Sequence, residues 1–415
     1  MFKTWRDYVG KTIAVLVSGG LDSTSIIAWL TEKGIRVVAI TVNFAQPDET
    51  DISAIPERMK VAGAVEAYLV DGREKLAEYM LLVVQGLAYY DGRYLNTTGI
   101  ARMAAVKIAL EKIRELGVDA VSHGATGKGN DQIRFELALA MLAPDLEMYV
   151  PWRDPDFVAE LGGRKQMIEY CNSRGLVITA TEDSPYSTDA CFPGLTHEAG
   201  VLESTMTGTL RVEFLMGNNV IDAPDAGERV KIEFAKGRPV KVNDVAMDLV
   251  DIFLTLNAIA GKHGVGIGID QVENRVVGMK CRGVYESPAA TVLAEAYQKQ
   301  IEMDIDADRR LYFDFTSRMF SRVVYSGQFF GPLSQDLQAV IKSVARHING
   351  YVIFLLYKGN CIVEKIDGGP NCLYCPEKAS MEKSQEHLHI WSRGLVAWQA
   401  SNARALAAAG QVAEP

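Results

Sequence analysis

The chain has 415 residues, of which 48% are hydrophobic and 23% are charged, and its formal net charge is −9. This length and composition predict two or three globular domains, and the acidic charge argues against a nucleic-acid-binding protein, which needs a concentrated basic surface. We expect a cytoplasmic protein with no membrane partner, because the longest apolar runs, such as residues 353–357, are too short to cross a bilayer and no apolar stretch of signal-peptide length follows the N-terminus.

The first half of the chain alternates strand-like and helix-like segments. Strand, helix, strand at this spacing indicates a parallel sheet with helices on both faces. Sites in such sheets form at the carboxyl ends of the strands. The predicted strands are 12–17, 36–41, 66–70 and 119–122, and the predicted helices are 23–33, one that opens at Pro56, 73–88, 99–116 and 131–142.

The pattern changes after about residue 172 and becomes typical of an α+β region. Lys236-Gly237 and Lys358-Gly359-Asn360 each separate two alternating runs, which predicts two β-hairpins. The predicted strands are 229–235, 238–242, 351–357 and 361–366, and the predicted helices are 245–260 and the Ala-rich segment 389–409.

The sharpest local motif is Ser18-Gly19-Gly20-Leu21-Asp22-Ser23, between the first predicted strand and the first predicted helix. The glycines let the backbone fold closely around an oxyanion, and the helix start directs free N–H groups and its positive dipole end to the same point. A carboxylate such as Asp22 is unfavourable beside phosphate unless a divalent metal bridges the two. A tight strand–turn–helix junction with a capping serine is the plainer interpretation. The complete motif resembles the pyrophosphate-binding loop of the N-type ATP pyrophosphatases.

Further segments of the sequence restrict the range of possible substrates. They resemble argininosuccinate synthases closely, and the similarity runs from about residue 12 to residue 291 and weakly on to residue 377. The segments are 94–102, 123–136, 272–275 and 278–286, with the shorter pieces 186–189 and 196–200.

Elementary chemistry is consistent with this resemblance. Asn130 and Asp131 begin a predicted helix, where capping residues belong, so both are explained as caps. Arg134 lies one turn further on, and a cap does not explain a cation there. Asp131 can hold an ammonium group, and Arg102 and Arg134 can each bind a carboxylate through two hydrogen bonds. Two amino-acid substrates need such groups.

The resemblance implies a role for each matched residue. Asp22, Asp131 and Arg134 are the residues on which catalysis would depend. Taken singly, Tyr94 and Tyr285 have a plainer interpretation as core aromatics, and Glu273 as a surface charge. The implied sets are Ser18, Gly19, Gly20, Leu21, Asp22, Ser23 and Gly124 for ATP; Thr98, Thr126, Asn130 and Asp131 for aspartate; and Tyr94, Arg102, Asn130, Arg134, Ser187, Thr196, Glu273 and Tyr285 for citrulline.

The resemblance also implies the reaction and the domain plan. Citrulline would be adenylated by Mg-ATP with release of pyrophosphate, and aspartate would then displace AMP. The implied parts are a nucleotide-binding domain at 1–172, a synthetase domain at 173–385 and a C-terminal helix at 386–415 that assembles a homotetramer. The alternatives are a relative that adenylates a different ureido or amide acceptor, and a non-catalytic regulator that binds nucleotide or arginine.

Several positions depart from the usual pattern of the family. Val17 stands in place of a tyrosine, Thr196 and Cys281 each in place of a serine, and Ala45 in place of a glycine. Ala290 also replaces a glycine, whose loss matters if the backbone needs a positive φ there. These changes leave open the alternative in which the protein adenylates a different ureido or amide acceptor.

The cysteines predict free thiols, and we expect no tightly bound metal. Six cysteines are scattered through a large chain, which favours thiols over a disulfide framework. Cys372 and Cys375 have the spacing of a zinc knuckle, but the second pair that such a site needs is missing.

Overall fold

The computed structural model describes residues 3–178, 185–382 and 386–412. They fall into two compact units, Met1–Asn371 and Cys372–Pro415, which are described separately below. Among the described residues, no helix combines the length and the apolar character that crossing a membrane requires. The predicted boundary at residue 385 lies outside the described residues.

The first half of the larger unit is built on a five-stranded parallel sheet. Its strands are β1 (Thr12–Leu16), β2 (Arg36–Asn43), β3 (Glu66–Asp71), β4 (Ala120–His123) and β5 (Glu147–Tyr149). They lie in the order β3-β2-β1-β4-β5 and all pairings are parallel. The strand order therefore reverses at β1, and ligands of open α/β sheets bind beside such a reversal.

Helices cover both faces of this sheet, as the sequence predicted. Ile13 and Val15 enter one buried apolar cluster, whereas Ala14 and Leu16 enter another. Because successive side chains of a strand point to opposite faces, the two clusters are the two covered faces. The helices are α1 (Leu21–Glu32), α2 (Ile55–Val61), α3 (Arg73–Gln85), α4 (Thr97–Leu116), α5 (Asp131–Leu142), α6 (Pro155–Leu161) and α7 (Arg164–Ser173).

The second half contains two antiparallel sheets. The strands are β6 (Ser187–Cys191), β7 (Gly194–Glu198), β8 (Glu228–Ala235), β9 (Arg238–Val242), β10 (Val245–Ala246), β11 (Ile269–Asn274), β12 (Lys280–Glu286), β13 (Gly350–Tyr357) and β14 (Asn360–Asp367). One sheet has the order β10-β9-β8-β13-β14 and the other β11-β12-β7-β6. Both predicted hairpins, β8–β9 and β13–β14, are confirmed.

The helices of the second half differ from the prediction at several points. The helix predicted from residue 245 is wrong at its start: Val245 pairs with Val242 in β10, and α8 (Leu249–Lys262) begins after Asp248, whose carboxylate accepts from the Asp251 N–H at 2.8 Å. This N-cap ends the preceding strand. Three long helices had no predicted counterpart: α9 (Pro288–Asp304), α10 (Ala307–Tyr325) and α11 (Pro332–Ala345).

The smaller unit is mostly helical. It contains α12 (Pro376–Ala379) and α13 (Glu386–Ala408), and the latter corresponds to the predicted C-terminal helix. Trp391, Leu395 and Trp398 on α13 are 67%, 64% and 80% exposed.

Candidate active site

A cavity of about 580 Å³ opens where β1 and β4 end. Residues 17–23 follow β1, residues 124–126 follow β4, and both segments line the cavity together with side chains of β6, β7, β11 and β12. Every residue that the sequence assigned to a substrate lies on this wall, although the individual roles stay predictions. They are Ser18, Gly19, Gly20, Leu21, Asp22, Ser23, Tyr94, Thr98, Arg102, Gly124, Thr126, Asn130, Asp131, Arg134, Ser187, Thr196, Glu273 and Tyr285.

The loop at residues 18–23 has a backbone that requires glycine. Gly19 has a φ of +82°, and a Cβ added there would lie 3.0 Å from the Arg58 guanidinium. The Ser18 N–H donates to the Ser23 hydroxyl at 3.1 Å and thereby closes the loop on itself. α1 starts directly after Gly20, which provides no side-chain cap. The first-turn N–H groups at the cavity are therefore suited to an anion.

Asp22 is the carboxylate of this loop. Burial raises its pKa to about 6, although the Trp152 indole N–H, which donates to it at 3.2 Å, opposes the shift. A Cβ added at Gly124 would lie 3.5 Å from the Asp22 Cβ, so the β4 loop closely faces the β1 loop. A divalent cation would favour the ionised form of Asp22, and this arrangement fits a magnesium ion that arrives with phosphates.

A cluster of paired charges occupies the other end of the cavity. Asp131 accepts from Arg102 Nε at 2.8 Å and from Arg134 Nη1 at 2.8 Å, and Arg102 Nη2 also lies 2.7 Å from Asp189. Burial opposes ionisation of Asp131, but the two guanidinium groups outweigh it and lower its pKa to about 2. The cations expected to bind substrate carboxylates are thus each paired with a carboxylate of the protein itself.

Arg134 is positioned by contacts beyond this cluster. Its Nε donates to the Tyr325 carbonyl at 3.1 Å, and its guanidinium carbon lies 5.1 Å from the Tyr325 ring centre. Gly99 makes room for it on α4, because a Cβ there would lie 3.2 Å from the guanidinium carbon. The Tyr325 hydroxyl accepts from the Asn130 amide at 2.9 Å and donates to Glu273 at 2.6 Å. Tyr325 therefore connects α5 with β11.

Two tyrosines predicted for citrulline stack against each other. The ring centres of Tyr94 and Tyr285 are 3.8 Å apart with an interplanar angle of 20°. The Tyr285 hydroxyl donates to Glu273, which is only 4% exposed, so Glu273 is not a surface charge. The Thr98 hydroxyl bridges the Tyr94 and Thr196 hydroxyls at 2.8 Å each. Both rings are buried, and both line the cavity.

The positions that depart from the family pattern have different surroundings. Val17 and Cys281 line the cavity. Ala290 is buried in the first turn of α9 and has no positive φ, so the backbone needs no glycine there. Ala45 does have a φ of +46°, and it stands between Phe44 and Gln46, which both line the cavity. The substitution that affects the backbone is therefore the one at residue 45.

Other residues belong to the site without a role assigned from the sequence. Asp189, Glu198 and Arg275 line the cavity and stand inside matched segments, so the sequence located their segments but assigned these three residues no role. Tyr325 lies on α10, which no motif indicated, and local sequence offered no signal for it. Further cavity residues without a predicted role are Gln46, Asp48, Glu49 and Arg164.

Burial favours the uncharged forms of a cysteine and a histidine near the site. All six cysteines are free, and burial raises the pKa of the Cys281 thiol. His123 is buried, its Nδ1 accepts from the Ala125 N–H at 3.1 Å, and burial lowers its pKa to about 3. Across residues 3–178, 185–382 and 386–412, no group of three metal-ligating side chains occurs.

Comparison with known proteins gives a consistent result over most of the chain. Residues 12–177 match the model described as arginosuccinate synthase N-terminal HUP domain, and residues 186–406 match arginosuccinate synthase C-terminal domain. A protein named argininosuccinate synthase from Rhodopirellula baltica is 41% identical over 90% of this chain and 92% of its own length. Proteins of the same name from Lachnospira eligens and a Thermotoga species are each 38% identical, over 93% and 90% of this chain and 94% and 91% of their own lengths.

Proposed function

The chain belongs to the argininosuccinate synthase family, and from this premise we propose that it ligates L-citrulline to L-aspartate with cleavage of ATP to AMP and pyrophosphate. The observation that carries the proposal is that the loop at residues 18–23 and the cluster of paired arginines and carboxylates line one and the same cavity. Nucleotide activation and amino-acid recognition need these two features side by side.

The first step takes place at the loop. Residues 18–23 and Gly124 would hold the ATP phosphates, with Asp22 bound to magnesium that accompanies them. The ureido oxygen of citrulline attacks the α-phosphorus, the bond to the β-phosphate oxygen breaks, and pyrophosphate leaves with the electron pair. The loop contributes positioning and charge stabilisation through fixed N–H groups.

The second step takes place at the arginine cluster. Thr98, Thr126, Asn130 and Asp131 would hold aspartate, and Asn130 is also shared with citrulline. The amine attacks the activated ureido carbon and AMP leaves. The arginines in this cluster exchange their present partners for substrate carboxylates, so binding replaces one ion pair by another and leaves no buried cation unpaired.

Citrulline would be held mainly by side chains that stacking and hydrogen bonds within the protein already fix in place. The stacked rings form one wall, and the bridged hydroxyls and Glu273 supply polar partners. The residues are Tyr94, Arg102, Asn130, Arg134, Ser187, Thr196, Glu273 and Tyr285.

The proposal is tested by product analysis with single omissions. The complete mixture of citrulline, aspartate and Mg-ATP should yield AMP and pyrophosphate in equal amounts, and EDTA should stop the reaction. Formation of ADP and phosphate, or turnover that ignores citrulline while another ureido compound supports it, would contradict the proposal.

Two further expectations belong to the same proposal. We expect a homotetramer, which the resemblance to the family implies, and light scattering tests it. A cytoplasmic location is tested by cell fractionation.

A further inference from the structure

The second step of the proposed reaction requires a proton acceptor. Aspartate binds as an ammonium, and its nitrogen has no electron pair until a proton leaves. Of the carboxylates that line the cavity, four stand in the segments that match the substrate-binding pattern of the family: Asp131, Asp189, Glu198 and Glu273. Asp48 also lines the cavity near Asp189 and Arg102, but it lies outside those segments. The four differ in how their oxygens are occupied.

Three of the four already have strong partners. Asp131 is held by two arginines, and Asp189 is paired with Arg102. Glu273 accepts from the hydroxyls of Tyr285 and Tyr325. The oxygens of these three carboxylates are already occupied by donors of the protein, which leaves them less free to take a proton from a substrate.

Glu198 is different. It ends β7, two residues after Thr196, so both side chains project from the same face of the strand, toward the cavity. Its nearest cation is Arg275, with Nη2 3.6 Å from Oε2, which is beyond a good hydrogen bond. No residue within the described part of the chain donates a closer hydrogen bond to it.

Its charged surroundings come from several elements. Asp189 on β6, Asp131 on α5 and Glu273 on β11 are acidic, and Arg275 is the opposing cation. The half-buried thiol of Cys281 on β12 also lies among these groups. Burial and then the Asp189 and Asp131 charges raise the pKa of Glu198 to about 7, where a carboxylate exchanges protons readily at neutral pH.

We propose that the Glu198 carboxylate accepts the proton that the aspartate ammonium loses before it attacks the activated citrulline. This rests on the function proposed above. The nitrogen transfers one proton to a Glu198 oxygen and forms the C–N bond with the freed pair. The C–O bond to AMP breaks, and its pair leaves on the phosphate oxygen. The nitrogen releases a second proton to water as the guanidinium forms.

Glu198→Gln tests the inference, because it keeps the size of the side chain and removes its basicity. In rapid-quench experiments with all three substrates, first-turnover pyrophosphate should stay within about threefold of wild type. AMP release should slow by on the order of 100-fold or more, the range that general-base catalysis supplies. Pyrophosphate would then appear as a burst ahead of AMP.

Controls separate proton transfer from other roles. Glu203→Gln removes an exposed carboxylate near the same sheet and should change neither product. Glu198→Asp keeps the base and should recover part of the AMP rate. In wild type, AMP release should fall as pH is lowered through about 7, and Glu198→Gln should lack this limb.

The possible outcomes for Glu198→Gln each support or overturn the inference. Equal loss of first-turnover pyrophosphate and AMP in Glu198→Gln would assign Glu198 to binding or folding, and near-normal AMP release would show that it is not the acceptor; either result overturns the inference. Failure of the wild-type enzyme to make pyrophosphate from citrulline and Mg-ATP would instead refute the proposed function.

Discussion

Replacing Asp131 by asparagine tests the charge cluster most directly. The sequence alone predicts that Asp131→Asn affects aspartate more than citrulline, because an ammonium partner is lost. The structure adds that the same carboxylate holds Arg102 and Arg134, each at 2.8 Å. The amide can accept from one guanidinium, but it presents an NH₂ group to the other.

The two arginines do not lose the same share of their hydrogen-bond partners in Asp131→Asn. Arg102 keeps its ion pair with Asp189 at 2.7 Å, whereas Arg134 keeps the Tyr325 carbonyl at 3.1 Å and the Tyr325 ring, and the structure gives it no second carboxylate among the described residues within ion-pair distance. The Arg134 side chain is also less exposed, at 7% against 20%. One charged hydrogen bond is worth about 1.5–3 kcal/mol. We therefore expect the free energy of unfolding to fall by about that amount, and kcat/KM to fall roughly ten- to a hundred-fold for citrulline as well as aspartate.

Urea denaturation and steady-state kinetics provide the measurement. Because the pKa of Asp131 is lowered to about 2 in the folded state, its stabilisation is present above the unfolded value of 3.8 and is lost as pH falls towards 2. The gap in stability between wild type and variant should therefore close at acid pH. Asp145→Asn is the matched control, since Asp145 pairs with Arg114 on the surface and should matter little. Unchanged citrulline kinetics in Asp131→Asn would refute the reasoning that links the cluster to both substrates.

Other changes give separate tests. Asp22→Ala should abolish turnover at saturating Mg-ATP while the circular dichroism spectrum stays unchanged. Near-normal turnover would show that Asp22 only favours the start of α1. Ala45→Gly should raise the free energy of unfolding by up to about 1 kcal/mol, because φ is +46° there; a loss of stability in urea would contradict the strain. Burial raises the pKa of Asp304 to about 6, so its charge destabilises the fold above that pH. Asp304→Asn should therefore raise the melting temperature at pH 8 but not below about pH 4. An equal rise in melting temperature at both pH values would contradict a destabilising charge on Asp304. Truncation after Gln385 should reduce the oligomer in light scattering, since α13 exposes an apolar face; an unchanged mass would exclude this helix as the assembly element.

Local sequence was sufficient to predict the parallel sheet of the first half and the loop at residues 18–23. Alternating apolar runs and helical spacing predicted the parallel sheet of the first half, since the period of a buried face is set by neighbouring residues. The loop at residues 18–23 was also readable, because its glycines, hydroxyls and helix start are contiguous. The matched segments then selected the family, and all their predicted residues line one cavity.

The tertiary structure alone decided how those residues are paired. The Asn130 amide donates to the Tyr325 hydroxyl across 195 positions of sequence, and the Tyr285 ring, on β12, stacks on the Tyr94 ring, which precedes α4. Such contacts follow from topology, and no local period encodes them. The same holds for Glu198: its acidic neighbours come from β6, α5 and β11, and burial among them, which sequence does not display, is what sets its protonation.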